Sequence, residues 1–102
     1  MTTTTINLGS IEKIALGHAR CYLVGNEEIA VFRQREGTLF ATQNRCPHKQ
    51  GTLCDGIAGG GKVICPLHSH KFELATGAGS EAGESIKTYP VREVNGEILL
   101  NY

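Results

Sequence analysis

Two short motifs hold most of the chemical potential of this chain: Cys46-Pro47-His48 and Cys65-Pro66-Leu67-His68, with sixteen residues between His48 and Cys65. Each sets a soft thiolate beside an imidazole on a short segment. Each cysteine precedes a proline, whose ring fixes φ and removes a backbone donor, so the segment is stiff where a metal ligand has to be aimed. Brought together, the two segments supply a Cys2His2 donor set. A tetrahedral zinc site can use that set. So can a [2Fe–2S] cluster in which two histidines replace two cysteines on one iron. Zinc fingers usually pair Cys with Cys and His with His, whereas each motif here mixes the two. One cysteine from each segment on one iron, and one histidine from each on the other, suits a planar cluster held between two facing loops.

The elements that must position these loops read as all-β. Strand candidates rich in β-branched and aromatic residues run from Thr4 to Leu8, His18 to Val24, Glu28 to Arg33, Thr38 to Thr42, Val91 to Val94 and Ile98 to Asn101. Gly25-Asn26, Arg35-Glu36-Gly37 and Asn95-Gly96 link neighbouring candidates as hairpins. Asn-Gly is the strongest of these signals, because both positions accept positive φ. On the second candidate Ala19, Cys21 and Leu23 share a side, and Cys21 is expected to be a small buried hydrophobe. A buried structural role is likewise expected for Cys54, and a satisfied or exposed strand position for His18. Residues Ile11 to Leu16 read as a loop or single turn ended by Gly17. Gly59-Gly60-Gly61 reads as a tight loop, since strand-like sequence resumes at Lys62-Val63-Ile64. The stretch from Asn44 to Pro66 is rich in Cys, His, Pro and Gly, and loops on a rigid scaffold are where function usually sits.

The bulk numbers narrow the function classes. A length of 102 residues suits one domain, 1–102. Ten basic residues balance ten acidic ones, which argues against nucleic acid as a partner. No lysine or arginine block suggests anionic lipid. The longest apolar runs, such as Ile29-Ala30-Val31-Phe32, fall far short of the about 20 residues a membrane helix needs. The N-terminus, Met1-Thr2-Thr3-Thr4-Thr5-Ile6, lacks a charged region followed by an apolar one. A soluble, cytoplasmic protein is expected. In that compartment four cysteines point to metal binding or catalysis rather than to disulfides; a Cys21–Cys54 disulfide is possible but disfavoured. No G-x-G-x-x-G fingerprint, P-loop or mononuclear iron triad is visible, so the chain is not expected to be a catalyst alone.

Beyond the two motifs, the segments Leu39 to Gly51, Gly56-Ile57, Lys62 to His68, Phe72-Glu73-Leu74-Ala75-Thr76-Gly77 and Lys87-Thr88-Tyr89-Pro90-Val91-Arg92 resemble the soluble Rieske ferredoxins. Within that superfamily the chain is most similar to the small subunit of assimilatory NAD(P)H-dependent nitrite reductase. The ferredoxin components of aromatic-ring dioxygenases come next. The resemblance implies a Rieske-type fold of three small antiparallel sheets, with a cluster-binding subdomain at about residues 43–72 inserted in a β base. It implies one [2Fe–2S] cluster per chain, with Cys46 and Cys65 on the inner iron and His48 and His68 on the outer, where electrons enter and leave. It also implies a redox partner protein: a nitrite reductase large subunit bearing flavin and sirohaem, or a reductase and oxygenase pair. Lys49, Lys62 and Lys71 lie near the cluster loops and are candidates for docking that partner. The other metal reading, a zinc-stabilised interaction module, would be colourless where an oxidised Rieske protein is red-brown.

The departures from the high-potential Rieske proteins are informative. Those carry an extra cysteine in each loop, joined as a disulfide; Gly51 and Leu67 occupy the matching positions. They also carry a serine and a tyrosine that donate hydrogen bonds to cluster and cysteine sulfurs; His70 and Phe72 stand there instead. Phe72 cannot donate, whereas His70 keeps an N–H. Fewer donors leave more negative charge on the sulfurs, so reduction is less favourable. The expected potential lies near the low end of the roughly −150 to +300 mV that Rieske centres span.

Overall fold

The computed structural model describes residues 4–45, 52–65, 71–79 and 85–102. Among them, three antiparallel sheets form. The first joins β1 (Thr5–Ser10), β9 (Val91–Val94) and β10 (Glu97–Asn101) in the order β1-β10-β9. The second joins β2 (His18–Val24), β3 (Glu27–Arg33), β4 (Leu39–Gln43) and β8 (Thr88–Tyr89) in chain order. The third is β5 (Ile57–Gly59), β6 (Lys62–Ile64) and β7 (Lys71–Glu73). This is the all-β arrangement of small antiparallel sheets expected from the sequence.

Turn chemistry sets the registers. Asn95 and Gly96 have φ of 52° and 80°, so both central residues of the β9–β10 turn are left-handed, as a type I′ hairpin requires. That places Val94 opposite Glu97 and Ile98 opposite Glu93. The glycine loop between β5 and β6 closes in the same way, pairing Gly59 with Lys62.

The middle sheet is covered on both faces, which explains its densest apolar run. Ile29 and Val31 turn to a core shared with Ile11, Ile14, Ile98 and Leu100, beneath the first sheet. Ala30 and Phe32 turn to a second core with Leu53, Val63, Cys65, Phe72 and Leu74, beneath the third sheet. All four residues of the run are 0% exposed. A strand buried on both faces loses polar alternation and reads as a continuous apolar run. Between β1 and β2 the chain makes a single 3₁₀ turn, Ile11–Lys13, capped by the Ser10 hydroxyl. Arg33 clamps that turn, donating from Nη1 to the carbonyls of Ile11 (3.3 Å) and Ile14 (2.8 Å).

Two expectations are corrected. Strands β5, β7 and β8 were not foreseen; at two or three residues each they are too short to display a period. Cys21 is exposed rather than buried, and Leu23 on the same side is 74% exposed. The cause is tertiary. β2 is an edge strand of its sheet, and among these three residues Ala19 alone packs against the second core. The opposite parity, Tyr22 and Val24, supplies the first core. No helix among the described residues is long and apolar enough to cross a membrane.

Candidate metal centre

Of the four expected ligands, Cys65 lies among the described residues; Cys46, His48 and His68 lie outside them, as do His70 and Lys49. Cys65 directly follows β6. It is 1% exposed and packs with Leu53, Val63 and Phe72 in the second core. It forms no disulfide. A soft donor is thus delivered to a strand end and screened from water, a setting that fits an inner metal ligand.

The frame around it holds the ends of both ligand-bearing segments. A bridge between Arg45 and Thr52 closes residues 46–51. The pairing of Ile64 with Lys71 closes the segment that begins at Cys65. Bridges from Phe72 to Gly79 and from Ala78 to Ser85 close a third segment, 80–84. Phe72 is 1% exposed and sits opposite Val63 in the β6–β7 ladder. The structure therefore brings Phe72 and Cys65 into one core.

Asn44 is a residue that sequence reasoning missed. It is 1% exposed and fully partnered. Its side-chain Nδ2 donates to Glu28 Oε1 (3.0 Å) and to Cys21 Sγ (3.3 Å), and its Oδ1 accepts from the Cys54 N–H (3.0 Å). Its backbone N–H donates to the Glu28 carbonyl, and its carbonyl accepts from Leu53 N–H. One buried amide thus ties β2, β3 and the 3₁₀ turn Leu53–Asp55 together at the two ends of the first ligand segment. A polar residue just after an apolar strand and two before the first motif cysteine was the available signal; its partners lie too far along the chain to be read locally. Glu28 completes the clamp. The hydrogen bond from Asn44, and then that from Arg45, hold its carboxyl below the usual range; the Arg45–Glu28 pair spans 2.9 Å.

Cys21 and Cys54 both partner this amide, Cys21 through its Sγ and Cys54 through its backbone N–H. Burial pushes Cys54 up to about 11, with Cys21 and Asp55 adding to it. Burial and then Glu28 raise Cys21. Both thiols therefore stand mainly protonated near neutral pH, and the thiolate is the metal-binding form. His18 is exposed on β2, as expected, and Lys62 is also exposed.

Comparison with known proteins places this arrangement. The family model of the Rieske-like [2Fe-2S] domain matches residues 5–101. The ferredoxin component of the naphthalene 1,2-dioxygenase/salicylate 5-hydroxylase systems of Ralstonia sp. is 33% identical over 98% of this chain and 97% of its own length. The E. coli protein NirD is 27% identical, with a TM-score of 0.88 over 99% of this chain and 98% of its own. A candidate NADH-dependent nitrite reductase small subunit from Mycobacterium tuberculosis shares the fold at a TM-score of 0.91, with 23% identity, over 100% of this chain and 97% of its own. A buried, unpaired Cys65 at the foot of one motif, a second motif framed by the Arg45–Thr52 bridge and a match over nearly every residue lead to one conclusion: the chain belongs to the Rieske-like [2Fe–2S] domain family and carries one [2Fe–2S] cluster for electron transfer.

Proposed function

We propose that this chain, as a single Rieske domain over residues 1–102 in the cytoplasm, is the small electron-transfer subunit of a nitrite reductase and passes electrons to or from its large subunit. Cys46 and Cys65 hold the inner iron, and His48 and His68 the outer one. A bound cluster supplies one-electron transfer. The chain's own residues fix its setting: Cys65 is kept from water, Asn44 anchors both ends of the first ligand segment, and Phe72 offers no hydrogen-bond donor. The observation that carries the choice of partner is the likeness to the nitrite reductase small subunit NirD, which extends over almost the full length of both chains at 27% identity. A second reading, the ferredoxin component of a ring-hydroxylating dioxygenase, is favoured by the 33% identity with the Ralstonia ferredoxin.

Anaerobic mixing separates the two. The holoprotein is combined with NAD(P)H and a nitrite reductase large subunit, or with the reductase and oxygenase of a dioxygenase system, and bleaching of its visible absorbance is followed. Rapid reduction in the first mixture, with nitrite-dependent reoxidation, is the expected result. Reduction confined to the second mixture would establish the dioxygenase reading. Reduction in neither would overturn both.

Phe72→Tyr is expected to raise the midpoint potential. Its hydroxyl would be introduced into the core that holds Cys65. One hydrogen bond to a sulfur that is more negative in the reduced state is worth about 1–2 kcal/mol, or roughly 40–90 mV for a single electron. Voltammetry of wild type and variant measures the shift; equal potentials would show that position 72 does not reach a cysteine sulfur.

A further inference from the structure

We propose that Cys21 and Cys54 form a second redox site, a reversible dithiol/disulfide couple at the foot of the first ligand segment that exchanges with low-molecular-weight disulfides. Three arrangements carry it. Cys21 is exposed on the open edge of the middle sheet, within reach of a small disulfide. Cys54 is half-buried on the turn Leu53–Asp55 and packs against the second core. It also lines a surface groove with Gly17, His18, Arg35 and Gly56. Asn44 spans the two, donating to Cys21 Sγ at 3.3 Å and accepting from Cys54 N–H at 3.0 Å. The two thiols are free, and the Asn44 amide holds both residues at the junction of β2 and the turn Leu53–Asp55.

The exchange balances in two steps. The thiolate fraction of Cys21, its proton released to water, attacks one sulfur of the small disulfide, forming a mixed disulfide and releasing one small thiolate that takes up a proton. Cys54 then attacks the Cys21 sulfur, closing the Cys21–Cys54 bond and releasing the second. Two electrons pass from the protein to the small disulfide. The two thiol protons end on the two small thiols. The exposed partner makes the first attack, and the sheltered partner resolves the mixed disulfide. Because Cys54 and Asn44 bracket the first ligand segment, oxidation braces that segment against β2.

The holoprotein incubated in glutathione buffers of increasing disulfide fraction, then alkylated and digested without reduction, tests this by mass spectrometry. The expected product is a peptide pair linked through Cys21 and Cys54, two hydrogens lighter than the dithiol and restored by dithiothreitol, while the visible absorbance of the cluster persists. In Cys54→Ser the Cys21–glutathione adduct should accumulate at least tenfold over wild type, because nothing resolves it. The peptide map of the wild type stands without any variant. Overturning results are both cysteines remaining alkylatable in fully oxidising buffer, a linkage between Cys21 residues of two chains, or a linkage to Cys46 or Cys65 with loss of colour.

Discussion

Replacing His68, or His48, with alanine is expected to abolish the low-average-g EPR signal that histidine ligation of the cluster, as proposed above, would give the reduced protein. Altering a residue that merely hydrogen-bonds a metal ligand costs about 10–100-fold in metal affinity. Removing a ligand outright should exceed that, leaving less than about 1% of the signal. The loss should extend to the fold, since a domain of 102 residues has a modest core and a bound metal centre adds its binding free energy to stability. Cys21→Ser is the control. Its thiol is raised by burial and by Glu28 and belongs to neither motif, so the visible spectrum should survive. An unchanged EPR signal in either histidine variant would remove that residue from the ligand set. Bleaching in Cys21→Ser would bring a cysteine outside the motifs into it.

Gly77→Ala should be strongly destabilising. Gly77 has a φ of 82°, a conformation costing an alanine about 1–2 kcal/mol. A methyl there would also overlap the carbonyl oxygen of Ile86 and crowd Thr88 Cγ2 at 3.3 Å. The backbone cannot yield cheaply, because Gly77 donates to the Glu73 carbonyl (2.7 Å) and accepts from Ile86 N–H (2.8 Å). Overpacking of this kind adds about 1–3 kcal/mol. A total of about 3 kcal/mol lowers the melting temperature by roughly 10–20 °C for a domain of this size. Gly37 shares the positive φ, at 100°, but has nothing within 4 Å of an added methyl. Gly37→Ala should therefore cost about a third as much. Equal losses in the two variants by thermal denaturation would show that conformation alone, and not the close approach to Ile86, makes position 77 demand glycine.

What could be read from the chain alone was what adjacent residues encode. The two mixed Cys/His motifs, their prolines and the Asn95-Gly96 hairpin are local, and each states its chemistry within a few positions. Strands of four residues or more likewise announced themselves by composition, with ends displaced by one or two residues. The β5, β7 and β8 strands did not, because at two or three residues none displays a period, and the partner of β8, strand β4, lies far along the chain. Parity on β2 misled for the same reason: whether a side of an edge strand is buried depends on what packs on it, which put Tyr22 and Val24 inside and Cys21 and Leu23 outside.

The sequence by itself determined the donor types, their spacing and the β class, and through them the family. The tertiary structure alone decided that Asn44 clamps the first ligand segment, that Phe72 shares a core with Cys65, and that Cys21 and Cys54, thirty-three positions apart, become neighbours. Local motifs need few long-range partners to be recognised. A buried amide, with the two cysteines it bridges, is defined by groups that folding alone brings within hydrogen-bond reach.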